Sequence, residues 1–333
     1  MGTTSTSALD TAPARRHRIL LCLDGTASSE TCIPYGVALA QIYGSHIVLV
    51  HVMQPYAPRY VGAYASDPLS WEISRQQIHH YLENLRSTIA QASGASVELR
   101  IEQGSAAARI VALARELDAD VTVIGPPAAN HGRTFDQVLA SLGRSVLVAR
   151  SAAQPDAAHM LRQILVPLDG SSRAESIIPA VARMASCNNS EVVLTHVVQA
   201  PQVTAPLYDV LDMALAQRLA TRVESAAQTY LDAIAQRLRN DGVNARTVVV
   251  RHDDPRQHLL ELSQAMRADL LVLSAHGATC NSAQPLGSMP AYLLKHAPAA
   301  ILVLQDLPAA VPAPVEQPQP TSLQRAQPAL VLV

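Results

Sequence analysis

The stretch best suited to chemistry is Asp269 to Ser288, DLLVLSAHGATCNSAQPLGS. The apolar run Leu270 to Leu273 breaks into small and loop-forming residues, and a helical pattern, MPAYLLKHA, begins after Gly287-Ser288. Such a run predicts a buried parallel strand. The helix start that follows presents backbone N–H groups and a positive dipole end, which favour an anion. Within the loop the spacing is Ser274, two residues, Gly277, nine residues, then Gly287-Ser288. Glycine lets a ligand approach the backbone closely, and the serine hydroxyl can cap the helix or bond a phosphate.

Other chemistries are excluded by what the chain lacks. It contains one lysine, Lys295, so neither a GK[ST] phosphate loop nor a lysine-based kinase site can exist. It has no Gly-x-Ser-x-Gly nucleophile elbow. His252-Asp253-Asp254 with His258 has the residue types of a metal site, but acids at a helix start have a simpler role at the dipole. His276 has no paired acid in sequence, which makes it a poor general base. His51 and His196 are expected to be packed or backbone-bonded, and His79-His80 solvated. No residue is assigned a catalytic role.

Positioning that loop requires an alternating strand and helix frame, and the chain supplies it twice. RILLCLDG at 18–25 matches QILVPLDG at 163–170, and Asp24 and Asp169, Pro34 and Pro179, and His51 and His196 are each 145 residues apart. Further on, Asp120 and Asp269 are 149 apart, so copy two has about four extra residues in its middle helical segment. Strands are predicted at 18–23, 46–53, 97–102, 121–125 and 145–149, and at 163–168, 191–198, 246–251, 269–273 and 300–304. Helices between them imply parallel α/β units with right-handed crossovers. Ser172-x-x-Glu175 fits a capping box. Leu219, Val223, Leu231, Ile234 and Leu238 form an apolar stripe that runs to a stop at Asn240-Asp241-Gly242. Pro34 and Pro179 fall about two turns inside their helices, predicting one kinked helix per copy. The short apolar last strands, 145–149 and 300–304, would be sheet edges unless paired, which predicts an intramolecular pseudo-dimer through them.

At 333 residues, 49 % hydrophobic, the chain suits two domains. Aromatics are only 3 %, so the cores must be aliphatic. A formal net charge of −2, with one basic cluster at Arg15, Arg16, His17 and Arg18, argues against a nucleic-acid or anionic-membrane surface. Cys22, Cys32, Cys187 and Cys280 show no metal-like spacing and are read as reduced, mostly buried thiols of a cytoplasmic protein. No apolar core precedes the basic cluster as in a secretory signal, and no run approaches a membrane span. The expected organisation is an arm at 1–16, domains at 17–150 and 162–305, a linker at 151–161, and a Pro/Ala/Gln-rich tail at 306–333 whose ALVLV end could add to a sheet edge.

The loop spacing, the repeated DG strand ends and the Ile/Pro first helices resemble the universal stress protein family in its tandem two-domain form. The family loop is G-x2-G-x9-G-S/T, and Ser274 stands where its first glycine is expected. The resemblance implies two tandem Rossmann-like open parallel five-stranded sheets, order 3-2-1-4-5, with helices on both faces. It also implies a stress-response regulatory role and an adenine nucleotide, ATP or AMP/ADP with or without Mg²⁺, at the carboxyl ends of strands 1 and 4. The same reversal of strand order is where open α/β sheets bind ligands in general. Carried onto copy two, Asp169 and the Val197 backbone would hold adenosine, Pro167 and Leu273 would line the base pocket, and Ser274, Gly277, Gly287, Ser288 and Met289 would face ribose and phosphates. Copy one departs from the pattern: Ala128 replaces the second glycine, Pro126 and Pro127 lack N–H donors, and three residues instead of nine precede Gly132-Arg133. Copy two alone is therefore expected to bind nucleotide, with copy one as structural partner. A slow ATPase, and a structural or partner-binding protein without nucleotide, remain alternatives. A homodimer is a further possibility that the sequence leaves open.

Overall fold

The computed structural model describes residues 17–54, 68–126, 132–150, 161–199, 210–278 and 284–305. The N-terminal arm, most of the linker, the tail with its ALVLV end, Cys280, and the Ala128 to His131 segment lie outside the described residues.

Copy one runs β1 (Arg18–Cys22), α1 (Ala27–Glu30), α2 (Cys32–Tyr43), β2 (His46–Met53), α3 (Pro68–Ser93), β3 (Val97–Gln103), α4 (Ala106–Glu116), β4 (Val121–Ile124), α5 (Gly132–Ser141) and β5 (Ser145–Val148). Copy two repeats it as β6 (Gln163–Pro167), α6 (Ser172–Glu175), α7 (Ile178–Asn188), β7 (Glu191–Val198), α8 (Val210–Asn240), β8 (Asn244–Arg251), α9 (Pro255–Ala265), β9 (Leu270–Ser274), α10 (Ser288–His296) and β10 (Ala300–Leu304). Each copy has the order 3-2-1-4-5 with parallel pairing throughout. The two sheets join into a single ten-stranded sheet, because β5 and β10 pair antiparallel, Leu302 opposite Leu147. Edge strands that would otherwise expose their backbone groups satisfy one another there. The join is reinforced by Arg150 Nε to Ala297 O at 3.0 Å and by Arg183 Nε to Ile42 O at 3.0 Å, with the Arg183 guanidinium over the Tyr43 ring.

The inner strands are buried on both faces, which is why they read as unbroken aliphatic runs. One continuous cluster lies under α2, α3, α7 and α8, and another under α4, α5, α9 and α10; both clusters take residues from the two copies. The aliphatic core expected from the composition is thus shared across the seam.

Three local expectations are corrected. The kinked first helices are each two helices: α1 ends before Thr31, and Pro34 lies in the first turn of α2, while Pro179 lies in the first turn of α7. At those positions the missing N–H has no intrahelical acceptor to lose, so proline is tolerated. The cap of α6 is Ser171, not Ser172: its Oγ accepts from Ala174 N at 3.1 Å. In the α8 stripe, Leu231, Ile234 and Leu238 are buried, but Leu219 and Val223 are 53 % and 42 % exposed. The helix, 31 residues or about 46 Å long, outruns the eight-residue β8 of about 26 Å, so its first turns have no sheet beneath them.

Candidate functional site

The loops after β6 and β9 meet at the reversal of strand order, since β6 has β9 on one side and β7 on the other. Asp169 lies two residues past β6. Its Oδ1 accepts from Ser171 N at 2.9 Å and from Ser171 Oγ at 2.6 Å, and Oδ2 accepts from Ala278 N at 2.8 Å. Partial burial acts to raise its pKa, but the bonds from Ser171 and Ala278 outweigh it and hold the carboxyl below its ordinary value. It is an anion at neutral pH, aimed across the crevice at the β9 loop.

Gly277 explains how the loop comes so close. A Cβ there would overlap Asp169 Oδ2 and stand 3.3 Å from Cγ. Its φ is outside the left-handed region, so glycine is required for proximity and not for backbone conformation. The loop then returns: Gly287 N donates to Ala275 O at 2.7 Å, and a Cβ on Gly287 would approach that same oxygen to 3.2 Å. Buried His276 helps to hold the return, with Nε2 2.9 Å from Gln284 O. This gives it a structural role consistent with its weakness as a base. Ser274 ends β9 buried, and its Oγ accepts from His276 N at 3.4 Å.

Gly287 caps α10. Its own N–H is committed to Ala275, and Pro290 has none, so helix geometry leaves two donors without an intrahelical acceptor, Ser288 N–H and Met289 N–H. Ser288 is exposed. Leu273, Val197 and Met289 belong to one apolar cluster, Leu273 buried and the other two partly so. Pro167 ends β6 one residue before Leu168, whose N–H is bonded to Thr195 O at 2.8 Å. The structure therefore brings Asp169, Gly277 and Ala278 into contact, sets Gly287 against Ala275, and places Val197, Leu273 and Met289 in one apolar cluster. Ser171 and Ala278, which orient and occupy the carboxylate, were missed in the sequence; the Asp-Gly-Ser turn was the available signal for the first of them.

Copy one repeats the carboxylate turn, Asp24 Oδ1 accepting from Thr26 N at 2.9 Å and Thr26 Oγ1 at 2.6 Å. Beside it is a cavity of about 160 Å³ whose walls include Cys22, Asp24, Val52, Ile124, Gly125 and Phe135. Pro126 offers no N–H there. Burial pushes the Cys22 thiol up to about 12, so it is no nucleophile at neutral pH.

No helix among the described residues is long and apolar enough to cross a membrane. The chain is 23 % identical over 307 residues to a universal stress protein from Mycolicibacterium smegmatis, covering 88 % of this chain and 98 % of that one. A crystal structure of a universal stress protein from Archaeoglobus fulgidus shares the fold, with TM-score 0.61 and 14 % identity over 86 % of this chain and 96 % of that chain. So does a protein of unknown function from Pseudomonas aeruginosa, with TM-score 0.61 and 13 % identity over 87 % and 92 %. The Universal stress protein family profile matches residues 15–150 and again 160–305, and the chain belongs to that family.

Proposed function

We propose that this is a cytoplasmic stress-response regulatory protein that binds one adenine nucleotide, in its second copy. The observation that carries the reading is the contact between Asp169 and the Gly277 backbone, closer than a Cβ at that position would permit without displacing the carboxylate, beside the start of α10. A ribose hydroxyl would take the Asp169 carboxylate from Ala278 N–H, the base would lie toward Val197, Leu273 and Pro167, and phosphate would meet Ser288 and Met289. Exchanging one hydrogen-bond donor for another leaves the loop free to move on binding, which is how a ligand biases a regulatory conformation.

Two α10 donors and a serine hydroxyl are few for a triphosphate, and the loop ATCNSAQPL has no Lys or Arg. ATP therefore requires Mg²⁺ to offset its charge, whereas AMP or ADP fits the donor set without it. An ATPase would further need a base aimed at a water; His276 Nε2 is spent on Gln284 O, which makes hydrolysis the weaker alternative. The copy-one cavity favours a second reading, in which a base-sized ring also enters beside Asp24. Native mass spectrometry of the intact purified chain, with and without added ATP, ADP and AMP, tests the proposal. One retained nucleotide, lost in Gly287→Asp with an unchanged circular dichroism spectrum, is the expected result. No adduct at any of the three would leave a structural or partner-binding protein.

A further inference from the structure

From the meeting of His252, His258 and Glu261 at the carboxyl end of β8 we infer a metal site for Zn²⁺ or a similar borderline divalent ion, apart from the nucleotide crevice. One ligand atom from each residue lies within 4.8 Å of the other two. His252 follows the last residue of β8, and His258 and Glu261 are three residues apart on α9, hence on one helix face. Two imidazoles and one carboxylate form the donor set of a zinc site with a fourth position open to water.

Each ligand is already held in a way that suits a metal. His252 Nδ1 lies 2.9 Å from Asp254 O and 3.0 Å from Asp254 N. Asp254 N–H can donate to Nδ1, and a metal on Nε2 would select the other tautomer, in which Nδ1–H donates to the Asp254 carbonyl, the usual support of a metal-bound histidine. Asp254 is fixed in turn as the cap of α9, its Oδ1 accepting from Arg256 N at 2.9 Å. Asp254 is thus the supporting residue of the site and not a ligand. His258 faces His252 with ring centroids 5.0 Å apart, and its Nε2 is buried with no hydrogen-bond partner among the described residues. An unpaired buried nitrogen is costly, and a metal would satisfy it. Gln257 Nε2 steadies Glu261 through Oε1 at 2.9 Å. Zinc bonds of about 2.0–2.1 Å require ligand separations of about 3.3 Å, so binding would draw together three atoms that now lie within 4.8 Å of one another.

The duplication provides an internal contrast. The positions in copy one, offset by 149, are Gln103, Arg109 and Ala112, and Arg109 is there ion-paired with Glu102. The cluster is a property of copy two and not of the repeated frame.

The test is a Zn²⁺ titration of the full chain at pH 7.5 against a chromogenic chelator, with His252→Gln, His258→Gln and Glu261→Gln. The expected result is one micromolar site per chain, weakened at least about tenfold by each substitution. Arg109→His with Ala112→Glu, which supplies two of the three ligands to copy one, should add no comparable site. If His258→Gln fails to fold, the exposed Glu261→Gln decides. Zinc binding weaker than millimolar, or micromolar binding that His252→Gln and Glu261→Gln leave unchanged, would overturn the inference.

Discussion

Gly277→Ala isolates the contact on which the candidate site is built. The new Cβ would overlap Asp169 Oδ2, and that oxygen cannot simply swing aside, because Ser171 N and Oγ fix the other end of the carboxylate. Relief requires breaking the 2.8 Å bond from Ala278 N. A hydrogen bond to a charged group contributes about 1.5–3 kcal/mol, but Asp169 is solvent-accessible, so water replaces part of it and about 1–2 kcal/mol is the reasonable loss. Opposing this, replacing glycine where φ permits alanine stabilises by about 0.4–1 kcal/mol through the unfolded chain. The net effect in the native background is therefore a small destabilisation. The informative quantity is the coupling with Asp169→Ala, which removes the obstacle. In that background Gly277→Ala should be neutral or stabilising, giving a coupling energy of about 1–2 kcal/mol in a double-mutant cycle. Urea denaturation of the four proteins measures it. Equal effects of Gly277→Ala in both backgrounds would show that the glycine does not answer to Asp169.

Leu302→Ala, in the seam strand opposite Leu147, should cost about 2–5 kcal/mol as a buried truncation; because both cores cross the seam, denaturation should remain a single transition, and separate melting of the two halves would refute the shared core. Because hydrogen bonds depress the Asp169 pKa in the folded state, its contribution to stability is present above the unfolded value and is lost as pH falls through the folded one. Asp169→Asn should accordingly flatten the acid limb of a stability profile, and an unchanged limb would count against the bonds from Ser171 and Ala278. Ser288→Pro would remove one of the two free α10 donors at a position where proline suits a helix, so phosphate affinity should fall severalfold while the melting temperature holds, as fluorescence titration with a labelled nucleotide can check.

The repeat at an offset of 145, and the apolar runs that repeat with it, made the frame legible from residue types and spacing alone, including the last strands that meet at the seam. Local geometry was less legible. Pro34 and Pro179 sit in apolar patterns that continue through Thr31 and Ile177, so periodicity suggested one bent helix; the break falls one turn earlier, where a proline costs little. Ser171 and Ser172 are both potential caps, and the choice is made by Asp169, which binds Ser171. The Leu219 and Val223 stripe follows helical spacing correctly, but spacing does not say where the sheet beneath the helix ends. At the site, Gly277 and Gly287 were readable as points of close approach, whereas the use of Ala278 N–H on Asp169 depends on a contact between residues 109 apart. Similarly, His252 and His258 were visible as ligand types, but Glu261 joins them only once α9 is placed against the end of β8.

Both copies keep the strand-end carboxylate turn, yet the proposed function has one chain bind one adenine nucleotide, and bind it in copy two. A micromolar complex requires about −8 kcal/mol, and the carboxyl end of copy one offers an apolar cavity of about 160 Å³ and a proline where a donor is needed. Calorimetric titration of the intact chain with ATP and Mg²⁺, alongside Asp169→Ala and Asp24→Ala, measures the difference between the copies directly. The expected stoichiometry is one, abolished by Asp169→Ala and retained in Asp24→Ala; a stoichiometry of two, or binding lost in Asp24→Ala and untouched by Asp169→Ala, would contradict the assignment.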